Sequence, residues 1–309
     1  MSRRATFTKP KPGAGGPASL STVAADWLGA AIPALDGSRR GRDEVVHDLR
    51  TAAKRARALL RLLGDALGVR ARRRENLRLR DAARALAGTR DAAVARALLL
   101  RLRHQHRGRT RVAIASVLRG LAQPPAAAPE ARGADAAIAH AHAALHAAVG
   151  KLRGLRLPPA DARKVVEIGL RASYRRSRHQ MRLVRSGGDA AACHEWRKLA
   201  KRLCYQLQLP GLAKSKAVRR MVRRLDELQE QLGAEHDAQL VMALLRSAPA
   251  RLGETKHAMR VAALLERRGE KLRARCLRLG MKVFANQPAA FAKGIRRRLR
   301  RLRAGVKPA

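Results

Sequence analysis

The chain has 309 residues, enough for one large domain or two small ones with real cores, and carries 68 Lys and Arg against 23 Asp and Glu, a formal net charge of +45. That excess repels itself in a compact fold, so the simplest compensation is a polyanionic partner: nucleic acid, an anionic membrane surface or inorganic polyphosphate. Aromatic residues make up only 2% of the chain, which argues against a grip built on base stacking, and no apolar run approaches the length of a membrane span.

Residues 1–19, MSRRATFTKPKPGAGGPAS, are punctuated by Pro and Gly and hold no apolar core. They read as a disordered basic arm and not as a secretory signal. From Leu20 onward Ala, Leu, Arg and Val recur at helical spacing, and alternating runs of β-branched residues are absent, so the expected class is all-α. Breaks are expected at 37–42, 67–73, 122–133, 154–161, 186–189, 209–216, 247–254 and 286–288, leaving roughly eight helices of antiparallel-bundle length. The Pro-rich stretch GLRLPPAD at 154–161 divides the chain into comparable halves. The expectation is a first helical bundle over 20–153, a second over 154–303 and a short basic tail at 304–309. Cys193, Cys204 and Cys276 form neither a CxxC pair nor an even-numbered framework, which implies a reducing, intracellular compartment.

The halves resemble one another. HDLRTAAKRARALLRLL at 47–63 aligns without gaps on HEWRKLAKRLCYQLQLP at 194–210, and each is followed by a related ending, LAGTRDAAV (86–94) and LGAEHDAQL (232–240). His47 to Asp91 spans 44 positions and His194 to Asp237 spans 43. This reads as an internal duplication and predicts two similar helical bundles.

On a helical wheel His47, Arg50, Lys54, Arg57 and Arg61 fall within an arc of roughly 80°, opposite Leu49, Ala52, Ala53, Ala56, Leu59, Leu60 and Leu63. In the second copy His194, Arg197 and Lys201 share a stripe opposite Trp196, Leu199, Ala200, Leu203 and Leu207. An ordinary solvated face mixes charge signs, because Glu four residues before Lys relieves repulsion. These stripes carry one sign only, a cost that a bound anion would offset. Arg suits phosphate through its planar fork, Lys adds a point charge, and His gains charge below about pH 6.5, so binding is expected to tighten in mild acid. The copies differ: Cys204 stands where the first has Arg57, Gln208 where it has Arg61, and His236 where it has Arg90.

Other groups point less far. The segment 85–111 continues into a basic helix ending in a His-Gln-His loop, and its cations also suit a plain helix C-terminus. His140, His142 and His146 suggest a metal, but no clear third ligand accompanies them, and Cys193 beside His194 lacks a second Cys. There is no Walker loop, HExxH or dense carboxylate cluster, so neither a catalytic site nor a cofactor is expected. Asp48, Asp91, Glu195 and Asp237 are read as orienting arginines or capping helices.

The doubled pattern H-[DE]-x-R-x-x-x-[KR]-[KR] in a basic helical chain resembles the CHAD family, the conserved histidine α-helical domain, over about residues 20 to 303. Supporting features are Leu86 with Arg90 and Asp91, and SYRRSRHQMR at 173–182. The resemblance implies non-enzymatic binding of inorganic polyphosphate in a basic central groove or pore between pseudo-symmetric bundles. Carried over by position, the ligand face comprises His47, Arg50, Lys54, Arg55, Arg57, Arg61 and Arg90. His194, Arg197, Lys198, Lys201 and Arg202 would join from the second copy, and Tyr174, Arg175 and Arg178 from the helix before it. The implied setting is cytoplasmic, at polyphosphate granules. The runner-up is a nucleic-acid-associated protein using the basic run RRRLRRLRAGVKPA at 296–309.

Overall fold

Apolar residues at every third and fourth position drive almost the whole chain into helices. The computed structural model describes residues 20–33, 41–64, 66–86, 90–121, 132–155, 159–247 and 255–304, which form helices and no strand. In order these are α1 (Leu20–Gly29), α2 (Arg42–Leu62), α3 (Val69–Ala85), α4 (Arg90–Gln105), α5 (Gly108–Leu121) and α6 (Arg132–Arg153). They continue as α7 (Pro159–Arg185), α8 (Ala190–Leu207), the single turn α9 (Pro210–Ala213), α10 (Lys216–Ser247), α11 (Thr255–Val283) and α12 (Pro288–Ala304). None of the described helices is long and apolar enough to cross a membrane. The arm at 1–19, most of the tail, and the breaks expected around 37–42, 122–133 and 247–254 lie largely outside the described residues.

The count of about eight helices was too low, and the chain shows why. Segment 85–111 contains two interruptions: α3 ends before residue 86, and Gly108, at φ 56°, separates α4 from α5. In the second half the matched segment 232–240 lies inside the unbroken α10, so the two related endings sit in different local structure. The SGGD turn at 186–189 behaves as its composition requires. Gly187 takes φ 97° and the Gly188 amide returns to the Leu183 carbonyl at 3.0 Å, which closes α7. Asp189 then accepts from the Ala192 amide at 2.8 Å and opens α8.

Apolar faces assemble into two clusters. One gathers α1, α2, α3, α6, α7, α8, α9 and α12 with the start of α10 and the end of α11. The other joins α4 and α5 to the end of α10 and the start of α11. Both draw on helices from either side of residue 154, so the two halves of the chain bury surface against each other. At the centre α2 packs on α8, where the buried Gln206 donates to the Ala58 carbonyl at 2.9 Å. Helix α7 crosses the end of α2 closely enough that a Cβ on Gly169 would lie 2.5 Å from the Leu62 carbonyl oxygen. On the far side of α7, Arg296 of α12 forms a two-pronged ion pair with Glu167 at 2.7 and 2.6 Å.

Candidate functional site

Burying one face of an amphipathic helix decides where the other face points. In α2 the buried set is Leu49, Ala52, Ala53, Ala56, Ala58, Leu59, Leu60 and Leu62. In α8 it includes Trp196, Leu199, Ala200, Leu203 and Leu207. These are the residues the wheel assigned to the core, with Ala58, Leu62 and others added. The basic edges of both helices therefore run along one seam, flanked by α3 and α7.

Six arginines from four helices converge there: Arg57 and Arg61 from α2, Arg72 and Arg80 from α3, Arg176 from α7, and Arg202 from α8. Arg202 shows the environment most clearly. Burial, then the charge of Arg61, and behind them Arg176 and Arg57, lower it to about 10, against partial opposition from Glu195. Arg61 is lowered by burial, then by Arg176 and Arg72, with Glu195 opposing. Arg57 is lowered by burial, then by Arg61 and Arg80, with Asp81 opposing. Two fixed contacts shape the cluster. Arg57 Nε donates to Asn76 Oδ1 at 3.1 Å. The Arg72 guanidinium lies over Gly64, where a Cβ would meet Nη1 at 2.5 Å. Guanidinium groups held together against their mutual repulsion have the chemistry to receive phosphoryl oxygens, since each can donate two parallel hydrogen bonds.

The two motif arginines do something more specific. Arg50 Nη1 donates to the Leu86 carbonyl at 3.0 Å. Arg197 presses its guanidinium against Gly233, where a Cβ would sit 3.2 Å from Nη2. Leu86 and Gly233 belong to the matched segments LAGTRDAAV and LGAEHDAQL, so in each half the arginine three after the histidine lies against the repeat's own second element. Arg50 and Arg197 are thus anchors as well as members of the basic edge. The His194 ring lies against that of His236, tilted by 31° with centroids 4.4 Å apart. Its Nδ1 is buried with no hydrogen-bond partner among the described residues. Burial, then His236 and Lys198, lower it to about 4, so His194 adds no positive charge in mild acid, contrary to the sequence expectation.

The remaining expected residues divide. His47 is exposed and Lys54 half-buried on α2. The Arg55 guanidinium sits 5.6 Å from the Trp27 ring centroid and 5.7 Å from that of Tyr205, and Lys201 Nζ lies 5.8 Å from the Tyr205 centroid. Two of the chain's few aromatics thereby hold cations in place through their ring faces. Lys198 pairs with Glu195 at 3.3 Å. Arg175 is exposed, and Arg178 donates through Nε to the Phe284 carbonyl at 3.1 Å. The Arg90 side chain lies outside the described residues. Tyr174 is a correction. It is buried, stacked on Phe291 with centroids 4.2 Å apart, and donates its hydroxyl to the Asn286 carbonyl at 2.9 Å. Burial pushes it up to about 12, and its place is in the core.

The second copy's departures also have a physical reason. Cys204 is buried and donates its thiol to Asp226 Oδ1 at 3.1 Å, and Gln208 Nε2 reaches the Cys204 sulfur at 3.6 Å. Positions that carry cations in α2 thus face α10 in α8, and the basic edge of α8 ends at Arg202. Sequence reasoning missed Arg72, Arg80 and Arg176. The first two belong to a four-residue spacing, Arg72, Asn76, Arg80, that puts one stripe of α3 toward α2. Arg176 sits inside SYRRSRHQMR between two residues that were chosen. His142 and His146 bring their Nε2 atoms to 3.3 Å, but among the described residues no group of three or more His, Cys, Asp or Glu could hold a metal ion.

A family model described as the CHAD domain matches residues 24–246, well over half of the chain. The chain belongs to the CHAD family. Among curated proteins no match is found. The CHAD match contains both histidine helices, α3, α7 and all six clustered arginines, and it ends near the end of α10. Helices α11 and α12 fall beyond it, although the resemblance had been extended to residue 303.

Proposed function

We propose that this CHAD domain binds inorganic polyphosphate, without catalysis, in the basic groove formed where α2 and α8 meet α3 and α7. The family is associated with polyphosphate binding. The observation that carries the reading is the cluster of half-buried Arg57, Arg61, Arg72, Arg80 and Arg202 with the exposed Arg176 beside them, which holds like charges together. Such a cluster disfavours the ligand-free fold, and a dense linear anion offsets that cost. The motif repeat supports a duplicated origin, each copy supplying one wall of the groove. The cellular setting proposed is the cytoplasm, at polyphosphate granules.

The test is competition between long-chain polyphosphate and duplex DNA at matched phosphate concentration and moderate salt. Polyphosphate should displace DNA, and its affinity should fall steeply with salt as counterions cease to be released, by analogy with nucleic-acid binding. DNA displacing polyphosphate would replace this reading with that of a nucleic-acid-associated protein.

A further inference from the structure

Helix α7 does not end its basic surface at the groove. Arg175, Arg178, His179 and Arg182 follow one another at spacings of three, one and three residues, and so share one face of the helix. That face opens on the start of α12 as a shallow cleft of about 470 Å³, lined by these four residues, Arg176, Gln287 and Pro288. Among the described residues no acidic side chain lines it, and its one ring is the His179 imidazole. Its wall is built rather than incidental. Arg178 Nε is fixed on the Phe284 carbonyl and the Tyr174 hydroxyl on the Asn286 carbonyl, so α7 grips the α11–α12 connection at two points. Arg178 keeps further N–H groups on a guanidinium that the first bond has already oriented.

Arg176 ties the cleft to the groove. It lines the cleft and is also among the charges that depress Arg61 and Arg202, so it stands between the two sites. We infer that the α7–α12 cleft is a second phosphoryl-binding site, which takes the continuation of a polyphosphate chain leaving the groove past Arg176. This rests on the groove reading above. The chemistry is that of phosphoryl oxyanions, because four arginines and a histidine line the cleft with no carboxylate to oppose them. The α12 side of the cleft lies beyond the family match, which ends at residue 246.

Two sites joined by one ligand act by effective concentration, so the cleft should matter only for a chain long enough to occupy both. The experiment compares Arg175→Ala with Arg182→Ala in one protein, both exposed and on the cleft face, against Arg109→Ala with Arg111→Ala. The second pair removes the same charge from exposed positions at the start of α5. Titrations use tripolyphosphate and long-chain polyphosphate. The cleft variant should bind long chains about tenfold more weakly and tripolyphosphate within about twofold of wild type, while the α5 variant stays within about twofold for both. Equal losses of long-chain affinity in the two variants, or none in either, would overturn the cleft and leave the groove standing. A parallel loss of tripolyphosphate in the cleft variant would also overturn it, because the groove and cleft would then not be separate sites. Wild type binding neither polymer would overturn both readings.

Discussion

Replacing Arg202 by Met keeps the apolar stem and removes the charge, so it tests whether the groove stores repulsion. Burial and the neighbouring arginines lower Arg202 to about 10, which corresponds to roughly 3 kcal/mol of lost preference for the charged guanidinium. Solvent screening at this half-buried position reduces the share felt as stability to about 1–2 kcal/mol. The sign follows from the direction. A base lowered on folding is charged at neutral pH at a cost to the folded state, and that cost is relieved only as pH rises through about 10. Arg202→Met should therefore raise the melting temperature of the ligand-free protein, by about 2–6 °C for a chain of this size. Saturating polyphosphate should raise the wild-type melting temperature more than the variant's, because binding at a hundredfold excess over Kd adds about 2.7 kcal/mol and the variant binds more weakly. Thermal scans at low salt, with and without polyphosphate, read both effects. A variant that melts below wild type without ligand would refute the premise that the arginines destabilise the free fold.

The other predictions concern single contacts. His194, lowered to about 4 by burial, His236 and Lys198, stabilises the fold while neutral. That contribution is complete above about pH 6.5 and is lost as pH falls toward about 4. His194→Gln should flatten the decline in stability between neutral pH and mild acid by about 1 kcal/mol after screening, read from melting temperatures, and an unchanged acid limb would count against the buried, neutral imidazole. Tyr174→Phe removes the bond to the Asn286 carbonyl and should cost about 1 kcal/mol of stability with affinity for tripolyphosphate, which reads the groove alone, unchanged; lost tripolyphosphate affinity at constant melting temperature would return Tyr174 to the ligand face. Gln206→Leu removes the bond to the Ala58 carbonyl but also a buried Oε1 that has no partner among the described residues. Its stability cost should stay below about 1 kcal/mol, while the ratio of polyphosphate to DNA affinity falls; an unaltered ratio would show that the bond does not set the groove.

The buried faces of α2 and α8 were legible because helical periodicity is a property of one segment, and Leu49, Leu59, Trp196 and Leu203 obey it. The one-sign stripe was legible for the same reason, which brought Arg57 and Arg61 into view, whereas Arg202 entered only through the position it shares with Arg55 in the doubled family pattern. What periodicity on one helix cannot state is which stripe of a neighbour it meets. Arg72 and Arg80 of α3 and Arg176 of α7 became members of the site only through packing. Tyr174 failed for the converse reason: its place in a basic segment suggested an anion contact, while packing against Phe291 and the Asn286 carbonyl claimed it for the core. The role of Arg50 and Arg197 was half visible. Their constant offset from each histidine is plain in the sequence, but only the fold reveals that both lie against the matched segments at Leu86 and Gly233.

The bond from Gln206 to the Ala58 carbonyl lies in the core, yet it bears on what the groove can measure. It locks α2 against α8 at one axial position, next to Arg57 on one helix and four residues after Arg202 on the other. The register of the two backbones that carry those arginines is therefore set by packing before any anion arrives. Directly linked phosphates repeat at a shorter interval than phosphates separated by sugars, so under the proposed function a fixed register would favour one polymer over the other.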